Sequence, residues 1–257
     1  MKKYDLTVAI PSIRVQNLEK IYFFLERAVE PFSFEMVVIG PYEIPNVLKE
    51  KHNVKYFKDM GSPSRCVQIG STLAEGKYFC WMSDDCVHIT PHSISQCITL
   101  LDNTDGKDAI TLRYFEGEGS NSNEFPMDYW RAHHHDDQKL LGIKNTFMCA
   151  PLGMYNTDYF RELGGLDCRW QHINFCTHDL AFRLQQNGGK VHLSPQSVAK
   201  FYWSWITADA EPVRIVHVQN DAPLFKEVWN QDQSQRIKID YYNWVNTPSK
   251  WELRFGK

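Results

Sequence analysis

Two adjacent carboxylates, Asp84 and Asp85, close the run Trp81-Met82-Ser83-Asp84-Asp85. Neighbouring anions repel each other unless a cation or hydrogen-bond donors compensate them. A divalent metal with oxygen ligands would do so, and a diphosphate would complete its coordination. A solvated turn leading into a helix accounts for the pair equally well. Asp179, in Thr177-His178-Asp179, stands at what reads as a helix start. The helix dipole favours the ionised carboxylate there, which suits a general base better than an acid. Plain charge capping of the helix suits it too. Arg65 lies near the start of another helix, in Ser64-Arg65-Cys66-Val67-Gln68-Ile69-Gly70. It can reach a phosphate or a base, or simply face solvent. His133, His134 and His135, followed by Asp136 and Asp137, invite a metal reading. Side chains of adjacent residues diverge, however, so a solvated loop over an acceptor site fits better, with Trp130 as a sugar contact.

These groups need elements to position them. Leu6 to Ile10 is an apolar run stopped by Pro11, the pattern of a buried strand. Asn17 stands where a helix cap would, and Leu18, Ile21, Tyr22, Leu25 and Val29 then mark one helical face. Further strands read over Glu35 to Ile39, Val54 to Phe57, Lys77 to Met82 and Ala109 to Tyr114. Helices between them include one opened by Pro63 and one opened by Pro91. Such alternation predicts an α/β fold, a mostly parallel sheet with flanking helices. Ligands of such sheets bind beyond the carboxyl ends of the strands, which directs attention to Pro11 to Arg14, Gly40 to Tyr42, Lys58 to Arg65 and Ser83 to Cys86. Downstream, the pattern predicts a strand over Asn145 to Leu152, a short helix over Thr157 to Leu163, a helix capped by Thr177, a strand over Lys190 to Leu193 and a helix over Leu224 to Trp229.

Composition excludes several classes. Of 257 residues, 43 % are hydrophobic and 23 % charged, which rules out disorder over most of the chain. The longest apolar runs, Ile21 to Leu25 and Met36 to Ile39, fall far short of the roughly 20 residues that span a bilayer. No signal-peptide core follows Met1, so the expectation is a cytoplasmic chain with peripheral membrane contact left open. A net charge of −3 gives no reason to expect nucleic acid as a partner. Seven cysteines with no C-x-x-C spacing read as small buried side chains. Trp203, Trp205, Trp229, Trp244 and Trp251 crowd the tail, as core or as platforms for sugar rings.

The segment Ser64 to Asp85 resembles the nucleotide-binding half of the family 2 glycosyltransferases with the GT-A fold. It runs Arg65 to Gly70, Ala74-Glu75-Gly76, a hydrophobic strand, then Ser83-Asp84-Asp85 in the place of a D-x-D-type motif. Leu6 to Pro11 is similar to the family's first strand, Gly164-Gly165-Leu166-Asp167 to its Gly-Gly-Phe-Asp, and Thr177-His178-Asp179 with Arg183 to its Glu-Asp helix. The resemblance covers roughly residues 5 to 193. It implies a metal-dependent, inverting transfer of a sugar from a nucleotide-diphosphate donor, UDP-linked above all, to an acceptor hydroxyl of a glycan or glycoconjugate. Pro11, Ser12 and Ile13 would line the nucleoside pocket, Asp84 would bond the ribose and Arg65 the base or a phosphate. Asp85 would ligate Mn²⁺ or Mg²⁺, and Asp179 would deprotonate the acceptor. The resemblance further implies a third ligand from a C-terminal histidine, His217 before His192, although His217 in the alternating stretch Arg214 to Val218 also suits a partly buried strand.

The implied organisation is a GT-A-like domain over residues 1–200, with a nucleotide-binding half (1–115) and an acceptor-side half (116–200). An aromatic C-terminal extension (201–257) packs on the same domain. Three departures stand out: Gly40-Pro41 replaces the family's acid after the second strand, Ser83 replaces the first Asp of D-x-D, and His178 replaces the first acid of Glu-Asp. Two other readings stay open. One is a non-catalytic glycan- or nucleotide-binding protein. The other is a sugar-phosphate nucleotidyltransferase, against which the glycine-free stretch Pro11 to Gln16 argues.

Overall fold

The computed structural model describes residues 2–117, 127–128, 147–202, 215–230 and 235–247. The chain opens with β1 (Tyr4–Pro11), α1 (Leu18–Val29), β2 (Phe34–Gly40), α2 (Asn46–Lys49), β3 (Val54–Lys58), α3 (Pro63–Leu73) and β4 (Gly76–Trp81). Leu6, Val8, Ala9 and Ile10 in β1 are inaccessible to solvent, which is why that strand reads as an unbroken apolar run instead of an alternating one. α1 buries Leu18, Ile21, Tyr22, Leu25 and Val29, the face marked by their spacing. α3 starts as its sequence requires: Ser62 Oγ accepts from Arg65 N at 3.3 Å, and Pro63 takes the first helical position, where no N–H is needed.

Then follow β5 (Cys86–Ile89), α4 (Ser93–Asp102), β6 (Ala109–Thr111), β7 (Tyr114–Gly117), β8 (Met127–Asp128), β9 (Gly153–Asn156), α5 (Thr157–Glu162) and α6 (Ile173–Gln186). β10 (Val191–Leu193), β11 (Ala199–Tyr202) and α7 (Ala222–Asn230) complete the named elements. Seven strands form one sheet in the order β10-β6-β9-β4-β1-β2-β3, parallel except for β9. A smaller sheet runs β5-β11-β7-β8. The chain lays β2 and β3 on one side of β1 and then returns to place β4 on the other. The topological switch point, where such sheets bind ligands, therefore lies between the carboxyl ends of β1 and β4.

Three local expectations are corrected. The strand expected at Asn145 to Leu152 forms later, as the antiparallel β9. Residues 147–150 run without strand pairing because the Gln185 amide takes both main-chain groups of Met148, at 2.8 and 2.9 Å. The helix expected to be capped by Thr177 is capped by His172 and starts at Ile173. The Asp221 carboxylate accepts from Gln171 N at 3.1 Å and His172 N at 2.5 Å and so fixes the chain just ahead of that start. Asp179 consequently lies in the second turn, beyond the dipole's effective reach. Finally, His217 is not in a strand. It opens a helical turn (His217–Asp221) that continues into α7.

Among the described residues no helix is long and apolar enough to cross a membrane. All seven cysteines are buried. Burial pushes the thiols of Cys66, Cys80, Cys86, Cys97, Cys168 and Cys176 up, Cys97 to about 12, so none of these is a ready nucleophile.

Candidate active site

At the switch point, Asp84 is the centre of a hydrogen-bonded knot. Its Oδ2 accepts from Ile13 N at 2.7 Å, Arg14 N at 2.7 Å and Ser12 Oγ at 3.3 Å. Its Oδ1 accepts from Arg14 Nη1 at 2.7 Å, and its main-chain oxygen accepts from Asn17 Nδ2 at 2.9 Å. Asn17 therefore does not cap α1 with its side chain, as its position suggested; it reaches across to the turn after β4. The stretch from Pro11 to Arg14 is thus shaped by a carboxylate some seventy residues away, and Asp84 is 3 % exposed. Asp84 and Pro11, Ser12 and Ile13 do meet in one corner, but both Asp84 oxygens already serve the loop.

Asp85 follows at the same strand end, 8 % exposed, and its main-chain oxygen accepts from Tyr202 N at 3.0 Å. A buried anion beside a ligand crevice fits a cation, and the diphosphate of a nucleotide would supply the remaining oxygens. Among the described residues no group of three or more His, Cys, Asp or Glu is placed to hold an ion. Among the described residues the protein side of such a site would be Asp85 acting with the ligand.

His217, for which the resemblance implies a metal ligand, is partly buried among aromatic rings. Its ring stacks on Phe175 at 4.8 Å and meets His172 edge-on at 5.0 Å, and burial lowers its pKa. His192 bonds Asp108 through Nε2 at 2.7 Å, on the edge strand β10, with β6 and β9 between it and β4.

Arg65 sits at the β3–α3 corner. Asp59 takes its Nε at 3.1 Å and its Nη2 at 3.1 Å. Nη1 donates to the main-chain oxygen of Trp244, whose ring lies under the guanidinium at 5.1 Å from its centroid. Neither Asp59 nor the approach of Trp244 was read from the sequence. The signal for Asp59 was its place directly after β3, among the residues facing the crevice. For Trp244 there was only the abundance of aromatics in the tail.

Asp179 is the largest departure. It has no exposed surface. Arg183 Nε donates to Oδ2 at 2.8 Å, while Arg236 Nε at 2.8 Å and Trp229 Nε1 at 3.2 Å donate to Oδ1. Arg183 is itself inaccessible and also bonds the main-chain oxygens of Leu163 and Gly165. Arg236 further bonds Asp167 at 2.8 Å. Burial pushes the Asp167 carboxyl up, but Arg169 and Arg236 outweigh it and hold it below the usual range. A general base must come within hydrogen-bond reach of its acceptor. In this arrangement Asp179 braces three segments, and the expected base role does not fit it as folded. Trp130, His133 to Asp137, Trp203, Trp205 and Trp251 lie outside the described residues.

No family model and no curated protein matches the chain. Solved structures do. The crystal structure of S. aureus TarS 1–349 covers 93 % of this chain and 71 % of its own length, at 14 % identity and a TM-score of 0.56. The same protein in complex with UDP covers 90 % and 68 %, with the same identity and TM-score. GalNAc-T7 with UDP, GalNAc and Mn²⁺ covers 94 % of this chain at 14 % identity and a TM-score of 0.55, and this chain spans 56 % of that one. With its mostly parallel seven-stranded sheet, its switch point between β1 and β4 and these structural relatives, the chain has a GT-A-like, glycosyltransferase-type fold.

Proposed function

We infer that this protein transfers a sugar from a nucleotide-diphosphate donor, UDP-linked above all, to a hydroxyl of a glycan or glycoconjugate. The observation that carries the reading is the knot at the switch point, where Asp84 sets the loop Pro11 to Arg14 beside Asp85. A rigid loop of main-chain groups is what a nucleoside needs for orientation, and prepaid order strengthens binding. In this reading Asp85 holds Mn²⁺ or Mg²⁺ against the diphosphate. When bound, the ion neutralises charge on the leaving diphosphate. Asp84 acts on the donor through the loop it organises, with its ribose contact secondary. Inversion at the anomeric carbon, family 2 membership and the division into nucleotide-binding half, acceptor-side half and extension belong to the same reading. So does contact with a membrane-linked acceptor.

A thermal-shift panel tests it. UDP with Mn²⁺ is expected to raise the melting midpoint, since a ligand at 100 times its Kd stabilises by about 2.7 kcal/mol. Mn²⁺ alone is expected to do little, because Asp85 needs the diphosphate to complete the site. Asp85→Asn should abolish the Mn²⁺-dependent part. If no nucleoside diphosphate shifts the midpoint with or without metal, the reading fails.

The burial of Asp179 favours one second reading, a nucleotide- or glycan-binding protein without transfer activity. Donor binding with no turnover over any acceptor panel would support it.

A further inference from the structure

We propose that one outer face of the domain, built by Lys20, Phe23, Phe24 and Arg27 of α1 with His88 of β5 and Lys200 of β11, docks on an anionic lipid surface. The inference deepens the reading above, resting on it for a membrane-linked acceptor, and the face itself is argued from its own residues. Lys20, Phe23, Phe24 and Arg27 recur at spacings of three and four, so they share one side of the helix. Lys20 Nζ lies 5.6 Å from the centroid of the Phe24 ring, and the Arg27 guanidinium lies 5.8 Å from that of Phe23. The Phe24 ring meets His88 edge-on at 5.2 Å. His88 in turn stands opposite Lys200 in the antiparallel β5–β11 pair, where such partners share one face of the sheet. His92 N donates to Arg27 O at 3.0 Å and ties the far end of the stripe to the chain after β5. Three elements distant in sequence thus make one patch.

Its charge and exposure suit a lipid surface. Lys20, Arg27 and His88 are exposed, and Phe23 keeps 53 % of its surface in solvent. Among the described residues no ion pair engages Lys20, Arg27 or Lys200. Burial first, then Lys200, Lys20 and Arg27, lowers the pKa of His88, so the charged groups acting on it are all cations. Glu19 and Glu26 of the same helix fall about 100° round its axis from Lys20 and Arg27, on a separate stripe, and Glu30 stands past its last turn. A phenyl ring among cations whose stems lie along aromatic surface has the pattern of an interfacial anchor. The ring enters the headgroup boundary and the cations meet anionic headgroups. Each cation near such a surface strengthens partitioning about fivefold, so three give on the order of a hundredfold. The whole chain carries −3, so attraction to an anionic surface has to come from a local patch. The stripe also starts at the crevice: Asn17, just ahead of α1, donates to Asp84 O at 2.9 Å. Docking by this face lays the crevice beside the bilayer, where a lipid-linked acceptor presents its hydroxyls.

Vesicle co-sedimentation without nucleotide tests this. The full chain is expected to partition onto phosphatidylcholine vesicles containing about one-third phosphatidylglycerol at least about tenfold more strongly than onto phosphatidylcholine alone, and about 0.5 M salt should remove the difference. Lys20→Ala with Arg27→Ala should weaken binding to the anionic vesicles at least about tenfold. Lys190→Ala with Lys226→Ala makes the same change of net charge on exposed residues elsewhere and should alter it less than about twofold. Phe23→Ser should weaken it about fivefold, through the lost apolar contact. No preference for the anionic vesicles overturns the inference. So does an equal loss in the Lys190 and Lys226 variant, which would mean net charge and not this face. Phe23→Ser binding as tightly as the unsubstituted chain would point to a soluble polyanion or an acidic protein and overturns the lipid surface as partner. Should a variant fail to fold, the lipid and salt dependence of the unsubstituted chain still decides. Failure here leaves the donor site standing, and failure of every nucleotide to bind leaves this face standing.

Discussion

Asp179 has the chemistry of a base and the surroundings of a brace. Its carboxylate meets Arg183, Arg236 and Trp229 with no exposed surface, and its removal would leave Arg183 buried without its counter-charge and Arg236 with Asp167 alone. Breaking a buried pair of this kind costs about 3–5 kcal/mol. Asp179→Asn is therefore expected to lower the denaturation free energy by an amount of that order, measured by urea unfolding. A base that is not structural would give the opposite pattern, with lost transfer and an unchanged midpoint. The residue types were legible in the sequence: Asp179 and Arg183 are four apart on one helix, a spacing that pairs charges. Their burial was not, because it depends on Arg236, 57 residues further on.

At the scale of elements, the entry to α6 shows how a local pattern can mislead. Thr177 looks like a cap, but His172 and Asp221 set the start five residues earlier. His172 is buried, and its pKa is lowered to about 3 by burial first, then by His217 and His178. Its Nδ1 accepts from Asn174 N at 3.4 Å, which requires the neutral ring. Between the unfolded pKa of about 6.5 and the folded value, the unfolded chain binds the proton and the folded one does not. His172 thus contributes stability above about pH 6.5 that is lost as pH falls towards 3. The melting midpoint is expected to drop between pH 7 and pH 5, and the drop should be smaller in His172→Asn. An equal pH dependence in both proteins would remove His172 as the cause.

Across the whole molecule, the tail is a strap over the sheet domain. Gln68 Nε2 donates to Tyr241 O at 2.8 Å, Asn243 accepts from Cys168 N at 2.9 Å, and Ile239 N donates to Leu163 O at 3.2 Å. Gly164 and Gly165, both at positive φ, let the chain turn beneath it; a Cβ on Gly164 would meet Ile239 O at 2.1 Å. The strap touches the Asp179 brace through Arg236 and the Asp59–Arg65 couple through Trp244. Arg236→Ala should destabilise the fold, and a double-mutant cycle with Asp179→Asn should show coupling of about 0.5–3 kcal/mol, as for residues in one network. Additive losses would mean that the strap and the helix are held independently.

The sequence by itself determined the alternation of strands and helices, the buried first strand, the face of α1, the opening of α3 and the placing of Asp84 and Asp85 at a strand end beside the crevice. Each is written in a short window, where hydrophobic period, proline and capping residues act on their own neighbours. Tertiary structure alone decided that Asp84 turns to the loop after β1, that Asp59 joins Arg65, that β9 forms after a stretch held by Gln185, and that Asp179 is sealed. In each case a polar side chain takes the partner that folding brings within reach. That choice depends on which buried groups need satisfying, and no local spacing encodes it.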